Sequence, residues 1–306
     1  MAWRPSPKLE SPSGSHESLD PASPAGAAHC RCAGAMPGVT RAQWTVVWPR
    51  AMRVALQFLT RLPLRIEPPP APREIGLSLA CYPIVGLALG TTLWGVALAV
   101  SRVPALLAAA IVLAAWVLIT GALHIDGLAD TADAWVGGHG DRERTLRIMK
   151  DPTCGPVALA VVNCLLLLKF AALAALLPHL HAGSWHAVPW RDPRLAAGCI
   201  LPPLLARAAI PVLFARTPYV RAQGIAEDLT AHQSRGAGIF VAGLTALCTL
   251  AACRTSAAIA LSAAALAYMI VRSGLVRRLG GFTGDGAGAL IEVIEAACLI
   301  ALAVAP

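Results

Sequence analysis

The chain has 306 residues, 57% of them apolar and only 14% charged, with a mean hydropathy of +0.63. A soluble globular domain carries about 25% charged residues, so this composition excludes an ordinary soluble enzyme and predicts an all-α, polytopic membrane protein. The net charge of +8 rests on 22 Arg and three Lys; with no aromatic-basic stacking surface or binding motif, nucleic acid is excluded as a partner, and basic loops on such a chain set membrane orientation instead.

Residues 1–48 differ from all that follows. "SPKLESPSGSHESLDPASPAGAA" is rich in Pro, Ser, Gly and Ala without hydrophobic period, which predicts a disordered extension, with Met36 and Met52 as later start candidates. It lacks the charged start and apolar core of a signal peptide. Residues 49–306 read as one helical membrane domain. "RAMRVALQFLTRLPL" (50–64) alternates Arg53 and Arg61 with Val54, Leu56, Phe58 and Leu59, the pattern of an amphipathic interfacial or re-entrant helix. Apolar spans follow near 76–100, 103–123, 155–177, 195–215, 236–253, 256–276 and 286–305, each close to the ~20 residues that cross a bilayer. About seven transmembrane helices are therefore predicted, the fourth interrupted by Pro202, Pro203 and Pro211. The nine cysteines fall mostly inside these spans, where a thiol behaves as a small hydrophobe, and Cys30-Arg31-Cys32 has no second pair at zinc spacing.

With the N-terminus placed inside, the inner segments hold fifteen basic residues and the outer ones four. This asymmetry predicts a cytoplasmic N-terminus. It also puts three polar stretches on the cytoplasmic face: the Asp-rich run, Arg216 to Asp228, and "RRLGGFTGDGAGALIE" (277–292).

In "HIDGLADTADAW" (124–135), Asp126, Asp130 and Asp133 are spaced i, i+4, i+7, so they share a helical face within roughly 60°. Three unpaired carboxylates repel, and no Lys or Arg is interleaved to make the run a solvated face. Oxygen-only ligands suit Mg²⁺ or Mn²⁺, which typically takes one or two carboxylates plus substrate phosphate oxygens. The pattern thus predicts a metal face against a phosphate or diphosphate ester. His124 points roughly 160° away from Asp126 and reads as a packed histidine. In "RTLRIMKDPTCGP" (144–156), Arg147 and Lys150, beside Asp151, have the spacing to clamp phosphate oxygens, whereas Arg144 reads as a positive-inside anchor. The stretch 277–292 opens a Gly-rich loop into the last helix, whose first amides suit an anion. Asp285 and Glu292 are i, i+7 on one face of that helix, while Glu295 lies further round. Lys169 and Arg207 fall inside spans and require a partner, a cavity or a route to the interface; the sequence does not identify the partner. Arg221, in "YVRAQGIAEDL" (219–229), carries only a weak substrate-contact signal.

Several membrane chemistries compete for this pattern. A CDP-alcohol phosphotransferase lacks its Ala-Arg step after Asp126-Gly127, and a membrane prenyltransferase lacks its second Asp-rich motif. A cation-coupled transporter would show inverted repeats and midplane acids, which are not evident.

The chain resembles the cobalamin synthase (adenosylcobinamide-GDP ribazoletransferase) family in four stretches: "FLTRLP" (58–63), "GALHIDGLADTADAW" (121–135), "RIMKDPTCGP" (147–156) and "RRLGGFTGDGAGALIE" (277–292). The likeness runs from about residue 50 to the C-terminus. It departs at Ala134, where the family usually has Gly, and around "DPTCGPVAL", where the family tends to a basic or longer residue with extra Gly; no ligand-type side chain is lost. The resemblance implies a multi-pass protein of the bacterial inner membrane that joins adenosylcobinamide-GDP to α-ribazole or its 5′-phosphate and releases GMP. It implies Asp126, Asp130, Asp133 and Asp285 as metal ligands, with Asp130 and Asp133 catalytic and Asp133 either positioning the acceptor hydroxyl or acting as general base. Arg147 and Lys150 are implied in both catalysis and substrate binding, and Asp151, Arg277, Thr283, Gly284 and Glu292 in substrate binding. A homo-oligomer or a complex with other late cobalamin enzymes is a further expectation.

Overall fold

The chain forms helices where capping signals and apolar length agree. A computed structural model describes residues 41–177, 193–221 and 225–305, and Thr40–Pro306 make one compact unit. The elements are α1 (Arg41–Leu59), α2 (Pro72–Ala99), α3 (Ala105–Thr120), α4 (Leu123–Gly137), α5 (Arg142–Ile148), α6 (Pro156–Leu176), α7 (Pro193–Arg216), α8 (Ile225–His232), α9 (Arg235–Leu279) and α10 (Gly284–Val304). Among the described residues there is no strand; the nearest approach is a single bridge between Tyr219 and Phe282. Proline opens α2 and α6 in the first turn, where its missing N–H costs nothing. The side chain of Asp141 caps α5 by accepting from the Arg144 amide at 2.7 Å.

The interfacial helix expected over 50–64 lies within α1, which starts at Arg41, inside the stretch expected to be an extension. Residues 1–40, where the rest of that expectation falls, lie outside the described residues. Ala51, Val54 and Ala55 bury the inner face of α1, and Arg50 pairs with Glu74 of α2 at 2.7 Å. The prolines expected to interrupt the fourth span do not: α7 runs through Pro202, Pro203 and Pro211.

Two breaks shape the bundle. Gly121 and Ala122 both take left-handed φ (62° and 57°), and α4 leaves α3 at 87°. The Asp-rich run is therefore a separate helix turned across the end of α3, not the tail of a span. In α9, Cys253 (φ −135°, ψ 43°) interrupts the helical path. Ala242 and Ala246 before it and Leu261 and Ala265 after it line one cavity beside Ala208 of α7. A straight helix would hold Ala242 and Ala265 about 35 Å apart, so α9 doubles back at Cys253. Five helices, α2, α6, α7, α9 and α10, are long and apolar enough to cross a membrane, or six if the bent α3–α4 pair is one span. The seven spans read from the sequence include 236–253 and 256–276, which are the two arms of α9 on either side of Cys253, and 103–123, whose helix α3 stops at Thr120 after 16 residues.

The core is built around α10, which packs against α4, α6, α7 and α9 and buries Leu290, Ile294 and Leu299 completely. Outward-facing Leu118, Leu167, Phe240, Leu247 and Ile270 stay exposed, an apolar surface suited to lipid.

Candidate active site

The site is built on the crossing of α4 and α10. A β-carbon at residue 127 would lie 2.8 Å from the Asp285 carbonyl oxygen, so only glycine allows α4 to come this close to the first turn of α10. That contact brings the two acidic segments together. Asp126 is exposed and Asp130 half-buried, and neither carboxylate has a hydrogen bond or ion pair among the described residues. Asp126, Asp133 and Asp285 all stand near enough to Asp130 to repel its charge, with Arg221 opposing them.

The loop after α7 closes one side. Val220 donates its amide to the Phe282 carbonyl at 3.0 Å, and Phe282 donates to that of Pro218 at 2.9 Å. A β-carbon on residue 281 would meet the Pro218 oxygen at 2.1 Å, which explains one of the glycines of the Gly-rich loop. Phe282 is wedged edge-on between Phe214 and Tyr219, with centroids 4.8 and 5.4 Å away. This framework presents Arg221, whose Nη2 lies 3.0 Å from Asp285 Oδ2 and donates to the Met149 carbonyl at 3.2 Å.

Asp133 has a different setting from the other two aspartates of α4. Its Oδ2 accepts from the Gly155 amide at 2.6 Å and its Oδ1 from the Ala158 amide at 2.8 Å. It therefore caps α6 from a neighbouring helix, satisfying two amides that the helix itself leaves unpaired. The expectation that Asp133 is a free base or metal ligand meets a carboxylate already engaged through both oxygens, and its role in this structure is to fasten the 149–155 turn to α4. Asp133→Ala is expected to speed amide hydrogen exchange at Gly155 and Ala158 by about 10-fold or more, read by mass spectrometry of the protein in nanodiscs; unchanged protection there would contradict this role. Arg147, in the last turn of α5, and Lys150, on that turn, are exposed; their side chains have no hydrogen bond or ion pair among the described residues and so are free to meet phosphate. Asp151 turns to Thr153, accepting from its amide at 3.0 Å and its hydroxyl at 2.6 Å; these bonds hold its carboxyl below the usual range.

Three residues expected at the substrate have other settings. Thr283 is fully buried and caps α10, accepting from the Gly286 amide at 3.1 Å. Arg277 is exposed and folds back on Ser273 of its own helix, donating to its carbonyl at 3.2 Å. Glu292 shares the Asp285 face, as its spacing requires, but two turns place it about 10 Å deeper along α10. There its Oε2 accepts from Lys169 Nζ at 2.6 Å, and Glu295 accepts from the same nitrogen at 2.6 Å and from Arg207. Glu292 thus belongs to a buried charge cluster, which also supplies the partners that Lys169 and Arg207 required. His124 is buried, near enough to this cluster to feel the charges of Arg207, Glu295 and Lys169. Gly284, also expected at the substrate, is exposed at the first turn of α10 beside Asp285.

Among the described residues no three His, Cys, Asp or Glu are arranged closely enough to hold a metal by themselves. The unpartnered Asp126 and Asp130 carboxylates beside Asp285 fit an ion of the Mg²⁺ kind, which uses one or two carboxylates and completes its shell with substrate oxygens. They do not fit a fully protein-ligated zinc.

A family model described as cobalamin-5-phosphate synthase matches residues 51–303, from α1 to the end of α10. The chain belongs to the cobalamin-5-phosphate synthase family. Relatives named adenosylcobinamide-GDP ribazoletransferase include one from Pseudomonas fluorescens (strain Pf0-1), 46% identical over 250 residues, covering 82% of this chain and 97% of the relative. One from Pseudomonas aeruginosa (strain PAO1) is 46% identical over 254 residues, covering 83% and 98%, and one from Pseudomonas syringae pv. syringae is 47% identical over 250, covering 82% and 97%. No solved structure matches. In this synthase family member two further arginines, counted above only among the fifteen inner basic residues, have structural partners. Arg142 donates to the Leu279 carbonyl at 2.8 Å and Arg278 to that of Trp135 at 2.6 Å, bracing the end of α9 against α4 and α5.

Proposed function

We propose that the chain transfers the adenosylcobinamide-phosphate unit of adenosylcobinamide-GDP to α-ribazole or its 5′-phosphate. The observation that carries this is the meeting of Asp126, Asp130 and Asp285 at one end of the bundle, beside the cations of the 147–150 turn, in a chain that belongs to the synthase family. A ribose hydroxyl oxygen of the acceptor bonds to the phosphorus bearing the corrinoid arm, the anhydride bond to GMP breaks, and GMP leaves with the electron pair. The hydroxyl proton passes to an unpartnered carboxylate, Asp126 or Asp130. Arg147 and Lys150 hold phosphate oxygens in line for displacement. One or two of the Asp126, Asp130 and Asp285 carboxylates, with substrate oxygens, would hold Mg²⁺ or Mn²⁺, which when bound neutralises charge on the diphosphate and the departing GMP. The site end of the bundle faces the cytoplasm, consistent with the arginines that flank it.

A donor panel tests this reading against its nearest rivals. Protein in nanodiscs with Mg²⁺ and acceptor is given adenosylcobinamide-GDP, CDP-diacylglycerol or a prenyl diphosphate. GMP release from the first, with neither CMP nor diphosphate from the others, is the expected result; release from another donor would replace the proposal.

A further inference from the structure

We infer that Arg221 is a phosphate-binding residue of this site, paired with Asp285 when the site is empty and turned to the donor diphosphate when it is filled. The inference rests on the transferase reading above. Its guanidinium is already docked: Nη2 sits 3.0 Å from Asp285 Oδ2 and donates to the Met149 carbonyl at 3.2 Å. The Met149 contact is a hydrogen bond, but the pairing with Asp285 is not. Arg221 Nε is buried with no acceptor, and Asp285 Oδ2 is buried with no aligned donor. A guanidinium is planar, with donors in a fixed fork that suits two phosphate oxygens at once, so an unused Nε beside an Nη2 shared between Asp285 and the Met149 carbonyl is a donor edge that a diphosphate can engage.

The surrounding charges point the same way. Arg221 is the cation that acts on both Asp130 and Asp285, while Asp126 adds further negative charge to each. When a divalent cation takes these carboxylates, the need for Arg221 as their counter-ion is removed and its charge becomes available to the diphosphate that arrives with the metal. The backbone pairing of Val220 with Phe282 and the contact at Gly281 hold Arg221 at the first turn of α10, so only its side chain need turn to reach the diphosphate. Arg147 and Lys150, by contrast, are exposed, with unpaired side chains.

The test uses the full chain in nanodiscs with two probes: inorganic diphosphate with Mg²⁺, by calorimetry, and Mn²⁺ alone, by electron paramagnetic resonance. Arg221→Ala is expected to weaken diphosphate binding about 10- to 100-fold while leaving Mn²⁺ affinity equal to the wild type or higher, because a competing cation has gone. Arg221→Lys, which keeps the charge and loses the fork, is expected to fall between the two; it also serves if the alanine variant does not fold. Diphosphate binding within twofold of wild type in the lysine and alanine variants, or weaker Mn²⁺ binding in both, would overturn the inference and leave Arg221 a structural tie. Wild-type protein that binds Mg²⁺-diphosphate but yields no GMP from the corrinoid donor would sink the transferase reading alone; wild-type protein that binds no diphosphate would sink the role of Arg221.

Discussion

Asp126→Asn and Asp130→Asn are each expected to lower turnover about 10²- to 10³-fold, the range found when one group that stabilises developing charge is removed, without loss of fold. The asymmetry follows from the structure. Neither carboxylate has a hydrogen-bond or ion-pair partner among the described residues, so replacing it leaves no buried group stranded. Both stand among like charges, and removing one relieves repulsion. Thermal unfolding should therefore be unchanged or shifted slightly upward while GMP release collapses. A large loss of thermal stability with turnover within tenfold of wild type would show that these carboxylates hold the fold and do not perform the chemistry.

The largest expected effect on stability lies at Glu295. This carboxylate is completely buried and accepts from both Lys169 and Arg207. Lys169 also lies over the Trp116 ring at 4.8 Å. Glu295→Ala leaves two buried cations facing Glu292 alone, and stranding a charge in this way costs about 3–5 kcal/mol. Glu292→Gln should cost less, because Lys169 keeps Glu295. Replacing Glu295 and Arg207 together by leucine should recover much of the loss, since a buried pair exchanged for packed apolar groups is often near neutral. Denaturant unfolding in detergent measures all three; an alanine variant as stable as the wild type would remove the cluster's structural role.

The membrane class and the motifs of the site were legible in the sequence because length, hydropathy and i, i+4, i+7 spacing are local properties. Asp126 and Asp130 share a face as predicted, and the Gly-rich loop does open a helix beside them. Depth along a helix was less legible. Glu292 lies on the correct face of α10, but its two-turn separation from Asp285 puts it in the core, with a lysine 123 residues away in the chain. Asp133 could not be separated from its neighbours by spacing, since what distinguishes it is the approach of the α6 amides. The 87° bend after α3 depends on two consecutive left-handed residues, of which Gly121 gives a signal and Ala122 gives none. Arg221 was similarly obscure, because its partners come from α5 and α10 and its importance from the carboxylates it faces.

The central claim is that this bundle end joins a corrinoid GDP ester to a ribazole. It is tested most directly by incubating purified wild-type protein in nanodiscs with adenosylcobinamide-GDP, α-ribazole 5′-phosphate and Mg²⁺, and weighing the corrinoid product by mass spectrometry. The account predicts the mass of adenosylcobalamin 5′-phosphate with one equivalent of GMP, both lost with EDTA and in Asp130→Ala. A folded, metal-supplied wild type that leaves the donor intact, or product that persists undiminished in Asp130→Ala, would contradict it.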